Sequence, residues 1–121
     1  MVNMDPSVQN FERQLTSFLV EAKTKTYAAG DQAKKEILAD GAEQLVFSKK
    51  DLYYRDRYYG SDPFFGQEVV FRQDRAIWGL NYFGKCTDGT NPSPEIYQFL
   101  MKALSAVTED FPYRGPIEFT F

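Results

Sequence analysis

Four runs of strand-forming residues follow one another between Gln44 and Gly84: QLVFS, LYYRDRYY, GQEVVFRQ and AIWGLNYFG. Only KKD, GSDPFF and Asp74-Arg75 separate them. Connections this short join antiparallel neighbours, because a parallel return needs a crossover of a dozen or more residues. Aromatic and β-branched residues that alternate with polar ones suit a pleated, half-buried surface. The stretch therefore predicts a four-stranded antiparallel meander, and the rest of the chain must pack on it.

The flanks supply the cover. Asp5 and Pro6 suit the N-cap and first position of a helix. Val8, Phe11, Leu15, Phe18, Leu19 and Ala22 then recur at helical spacing, with Lys23 and Lys25 near the end where positive charge is favoured. This helix is expected to stop between Thr26 and Gly30. A second helix opens at Ser93, Pro94 and Glu95, with Ile96, Tyr97, Leu100, Met101, Leu104 and Val107 on its buried face. Pro112 prevents its continuation. After the turn PYRGP, Ile117, Phe119 and Phe121 alternate with Glu118 and Thr120 as a final strand. Residues 31–41 read either as a short helix or as a polar loop. The expected fold is α+β, in the order α-β-β-β-β-α-β. It is an antiparallel sheet of four to five strands with two main helices on one face. At 121 residues the chain fits one domain, residues 1–121, with one core.

Turn positions give a register. A two-residue turn at Asp74-Arg75 would pair Gln73 with Ala76, Phe71 with Trp78, Val69 with Leu80 and Gln67 with Tyr82. Tyr54 would lie beside Phe71, Asp56 beside Val69, and Tyr58 beside Gln67. The helix-facing side is then Leu45, Phe47, Tyr54, Val69, Phe71, Trp78 and Leu80, with Asp56 and Gln67 as polar exceptions. The outer side carries Tyr53, Arg55, Arg57, Tyr59, Glu68, Arg72 and Asn81. Arg57, Glu68 and Asn81 would form one cross-strand row. A slip of one residue inverts a whole strand.

Composition limits the chemistry. Histidine is absent, which removes histidine bases, histidine-paired nucleophiles and histidine metal ligands. Cys86 is the single cysteine, so no internal disulfide forms and no zinc site is expected. The net charge is −3, and Lys34-Lys35 and Lys49-Lys50 are each followed closely by an acid. Direct nucleic-acid binding is therefore not expected. The N-terminus has neither the basic start nor the apolar core of a signal peptide, and no apolar run could span a bilayer. A cytoplasmic setting is the expectation. No cofactor, metal site or catalytic motif is expected.

Asp56 is the sharpest anomaly, since a carboxylate on a covered face needs a partner or must become neutral. Either it serves a ligand or a proton transfer, or it is structural, held by Arg114 or by tyrosine hydroxyls. The outer row of Arg57, Glu68 and Asn81 is either a small polar pocket or ordinary charge pairing on a solvated face.

The series TYA, YYRDRYYG, FFGQEVVF, IWGLNYFG and PYRGP resembles a bacterial and archaeal family of domains of unknown function. Some of its members resemble C-terminal domains behind an Xre-type helix-turn-helix regulator. The resemblance brings no assigned activity. It does mark Tyr54, Arg55, Asp56, Gly66, Gln67, Glu68, Trp78, Asn81, Tyr82 and Arg114; all of these but Gly66 and Trp78, with Tyr53 and Arg57 added from the face analysis, are the candidate binding residues. The expected function is a non-catalytic regulatory module that binds a small polar or anionic ligand or a protein partner. The alternatives are a small enzyme with Asp56 or Glu68 as acid/base, and a homo-oligomer paired through the final strand.

Overall fold

A computed structural model describes residues 5–26, 34–86 and 94–113. The fold is α+β: two helices and a five-stranded antiparallel sheet. Helix α1 (Pro6–Lys25) is followed by strands β1 (Glu36–Ile37), β2 (Glu43–Lys49), β3 (Leu52–Gly60), β4 (Phe64–Arg72) and β5 (Arg75–Gly84). Helix α2 (Pro94–Ser105) closes the order. Sheet neighbours follow chain order from β1 to β5, as short connections dictate.

Helix α1 starts where its cap is. The Asp5 carboxylate accepts the Ser7 amide at 2.7 Å and the Ser7 hydroxyl at 2.6 Å. These bonds hold the Asp5 carboxyl below its ordinary value. Phe18, Leu19 and Ala22 are buried and meet Leu52, Tyr54 and Val70 in the core, while Val8 stays exposed. In α2, Ala103 and Leu104 are buried, as is Val107 beyond its end, and Ile96 is exposed instead of buried.

The ambiguous segment contributes the fifth strand. Among its described residues, Glu36 pairs with Gln44 and Ile37 with Glu43. A turn follows, with Gly41 at φ 90°. The Asp40 carboxylate fixes that turn by accepting the Ala42 amide at 3.1 Å. The predicted final strand, Ile117 to Phe121, lies outside the described residues.

Strand β4 is turned over relative to the expected register. Tyr54 pairs with Val70, Asp56 with Glu68 and Tyr58 with Gly66. The β4–β5 turn centres on Gln73 and Asp74, both left-handed at φ 49° and 65°, so Arg72 pairs with Arg75. Two left-handed central residues match the twist of a hairpin. A bulge then follows between Val70 and Phe71, where Phe71 pairs with Ala76 but Val70 pairs with Trp78. Ile77 is the extra residue, and it packs against the core alongside Trp78.

Leu45, Phe47, Tyr54, Trp78 and Leu80 keep their expected side. Val69, Phe71 and Gln67 move to the open face, while Glu68 and Val70 take their places under the helices. Arg72 also belongs to the helix side, over the Phe11 ring at 5.2 Å. The physical reason lies in EVVF. Its apolar residues fall on both faces, so apolar content cannot choose the register. The helix above it brings a lysine that needs an acid.

Candidate functional site

The polar groups of the sheet separate into two sets, one sealed under the helices and one on the open face. The sealed set is built on the Asp56–Glu68 pair of β3 and β4. Asp56 is 3 % exposed and Glu68 1 % exposed. Lys23 descends from α1 and places Nζ 3.2 Å from Glu68 Oε1. Tyr54 Oη donates to the same carboxylate oxygen at 2.5 Å. Tyr82 Oη donates to Asp56 Oδ1, also at 2.5 Å.

Gly66 makes the second bond possible. It pairs directly with Tyr82, and a Cβ at this position would lie 2.6 Å from the Tyr82 hydroxyl oxygen. The bare backbone lets the tyrosine cross β4 to reach the carboxylate on β3. Asp56 thus has the tyrosine donor that one sequence reading assigned to it.

Burial, then the charges of Glu68 and Asp56 and the bond to Glu68, push the Tyr54 hydroxyl well above its ordinary value near 10. Tyr54 therefore remains a donor. The raised value also sets a pH dependence. Once pH passes the ordinary value, the unfolded chain releases this proton while the folded chain keeps it, so stability is full below about pH 10 and falls above it. Urea midpoints between pH 8 and 11 are expected to fall more steeply for the native chain than for Tyr54→Phe.

The open face has a different composition. Gln44, Arg57, Gln67 and Asn81 lie in register across β2 to β5. Arg57 gives Nε and Nη2 to Gln44 Oε1 at 3.0 and 2.7 Å, and Gln67 gives Nε2 to Asn81 Oδ1 at 3.0 Å. The expected row of Arg57, Glu68 and Asn81 is thus replaced by one with Gln67 in the acid's place. One step along the strands, Arg55 lies between Val46 and Val69, with its guanidinium 5.0 Å from the Phe71 ring centre. Its Nε is buried and finds no hydrogen-bond acceptor among the described residues.

Aromatic pairs stand at both ends of this basic strip. Tyr53 and Phe71 have ring centres 6.0 Å apart. Tyr59 and Phe65 stack at 5.4 Å with 20° between their planes. Tyr59 Oη donates to Asp40 Oδ2 at 2.5 Å, which fixes its ring, raises the tyrosine and lowers the carboxyl from their ordinary values.

The ten sequence candidates therefore do not converge. Tyr53, Arg55, Arg57, Gln67 and Asn81 share the open face. Tyr54, Asp56 and Glu68 are sealed under the helices, and half-buried Tyr82 reaches Asp56 past Gly66. Glu68 was expected outside and Gln67 inside; both are corrected by the one-residue shift of β4. Arg114 lies outside the described residues. Lys23, expected only to complement the helix dipole, is 3 % exposed. Its signal was present, since Leu19, Lys23 and Thr26 continue the buried stripe of α1 at helical spacing. Among the described residues no group of three acidic, Cys or His side chains could hold a metal ion, and no helix is long and apolar enough to cross a membrane.

Comparison with curated proteins and with solved structures returned no match. A family model does match, over residues 56–121, which begins at the buried Asp56 and takes in β4, β5 and α2. That match spans more than half of the sequence, and the chain belongs to the family of the Domain of unknown function (DUF5680).

Proposed function

We propose that this protein is a non-catalytic binding module whose open sheet face holds a small anionic ligand at Arg55 and Arg57. One observation carries the reading: the two guanidiniums stand two residues apart on one strand of the open face, each fixed by an uncharged group and, among the described residues, neither ion-paired with a carboxylate. Arg57 is held in place by a neutral amide and feels Asp40 only at a distance, and Arg55 lies on an aromatic ring, so neither is neutralised by a carboxylate in contact with it. A planar guanidinium fork suits carboxylate or phosphate oxygens.

The two acids that could serve as acid/base are both sealed under the helices, against a lysine and two tyrosines. That placement favours a structural role for them and binding over catalysis. Resemblance to domains carried by Xre-type regulators supports a regulatory setting in which occupancy of the face is the signal. The lone cysteine supports a reducing, cytoplasmic one.

Thermal unfolding in a panel of phosphate, pyrophosphate and dicarboxylates tests the reading. A ligand at a hundred times its Kd is expected to stabilise the fold by about 2.7 kcal/mol. Arg55→Gln and Arg57→Gln are expected to abolish the response while leaving the unliganded Tm near native. A panel that leaves the native Tm unmoved, or variants that respond as the native protein does, would overturn it.

A further inference from the structure

We propose that the ligand of the open face is a dinucleotide, two planar bases joined through two phosphates; this rests on the anion-binding reading above. Two shallow grooves meet on that face. One, of about 440 Å³, is walled by Tyr53, Phe71 and Arg55. The other, of about 370 Å³, is walled by Arg55, Arg57, Tyr59 and Phe65. Arg55 belongs to both, so they form one track in the order aromatic pair, arginine, arginine, aromatic pair.

The length of the track is set by strand geometry. Tyr53 and Tyr59 are six residues apart on β3, and Phe65 and Phe71 six apart on β4. At roughly 3.3 Å per residue this separates the aromatic ends by about 20 Å, the scale of an opened dinucleotide. Each end offers a ring face to a planar base. Tyr59 and Phe65 already stack on each other, so a base extends that stack from the side of half-exposed Phe65, and half-exposed Tyr53 receives one at the other end. Arg55, laid on Phe71, keeps the edge of its guanidinium for an oxyanion.

Charge decides between a dinucleotide and a longer strand. Two guanidiniums match two phosphates. A polymer would carry further phosphates past the aromatic ends, where Asp40 stands against Tyr59 at one end and Asp51 and Asp74 line the groove beside Lys50 at the other, on a chain of net charge −3. Those phosphates would meet more carboxylate than cation at both ends.

Titration calorimetry at low salt tests this with diadenosine diphosphate, AMP and an eight-residue oligothymidylate as probes. Diadenosine diphosphate is expected to bind at one site, at least tenfold tighter than AMP. Phe65→Leu and Phe71→Leu keep apolar bulk but remove a ring, and each is expected to reduce the affinity to that of AMP. Arg55→Gln is expected to weaken both nucleotides. Should a phenylalanine variant fail to fold by circular dichroism, Tyr53→Leu and Tyr59→Leu give the same readout. Equal affinity for AMP and diadenosine diphosphate would overturn the two-ended site. Tighter binding of the oligothymidylate would overturn the charge match. If no nucleotide binds while pyrophosphate still gives an arginine-dependent rise in Tm, the dinucleotide is wrong and the anion site stands. If no anion of any kind binds, both fall.

Discussion

Lys23→Met is expected to cost about 3–5 kcal/mol of folding stability, because it strands the Glu68 carboxylate in a dry site. Against a total of about 5–15 kcal/mol for a typical small protein, that is a large fraction. The pair lies 3.2 Å apart with side chains 4 % and 1 % exposed, so water can replace the missing ammonium only if the helix lifts from the sheet. The same physics predicts a recovery. Lys23→Met, Glu68→Met and Tyr54→Phe together remove the ammonium, the carboxylate and the hydroxyl that donates to it. Apolar replacement of a buried ion pair is often neutral or stabilising, so the triple variant should regain at least about 2 kcal/mol of that loss, with Asp56 left as the remaining buried carboxylate. Urea unfolding with a common m-value measures both. A single variant that loses less than about 1 kcal/mol would mean that the carboxylate is not charged, or not dry, in the folded protein.

That network explains what was and was not legible in the sequence. Helix positions were legible because their punctuation is local: Asp5 and Pro6 start α1, and Pro94 with Glu95 starts α2. The four long strands were legible because tight turns leave antiparallel pairing as the economical course. The two-residue β1 was not, since Glu36 and Ile37 carry no periodicity and are extended only through pairing with β2.

The side of β4 was hidden for a deeper reason. Its apolar residues do not alternate, and the deciding contact is a lysine on a helix forty-five positions earlier in the chain. The turn offered no correction either, because Gln73 and Asp74 do not announce the left-handed backbone that Asn-Gly would. Asp56 was correctly singled out as an acid on a covered face. Its partner Tyr82 and the glycine that lets the two meet both stand in the motifs that carry the resemblance, but nothing in the sequence shows that the tyrosine crosses Gly66 to reach Asp56. The open face suffered least. Tyr53, Arg55, Arg57 and Asn81 lie where alternation put them, and only the acid in their row was mistaken for its neighbour Gln67.

Gly66→Ala is expected to cost about 3 kcal/mol or more. Gly66 has no left-handed φ, so backbone conformation is not the obstacle. The obstacle is space: the new Cβ would lie 2.5 Å from the Arg57 carbonyl oxygen, 2.6 Å from Tyr58 Cβ and 2.6 Å from Tyr82 Oη. The first two belong to paired strand β3 and move only if the ladder opens; overpacking of that kind costs about 1–3 kcal/mol. The third breaks the Tyr82 bond to buried Asp56, a charged hydrogen bond worth about 1.5–3 kcal/mol. Gly79→Ala is the control, since its nearest neighbour would be the Glu68 carbonyl oxygen at an ordinary 3.5 Å. It should be neutral, or stabilising by up to about 1 kcal/mol through the unfolded chain. A cycle with Tyr82→Phe separates the two costs of Gly66→Ala. Tyr82→Phe already lacks the hydroxyl, so Gly66→Ala should cost it only the backbone part, and a coupling of at least about 1 kcal/mol is expected. Additive losses would mean that the methyl acts on the ladder alone, and that the glycine is not what opens the path from Tyr82 to Asp56.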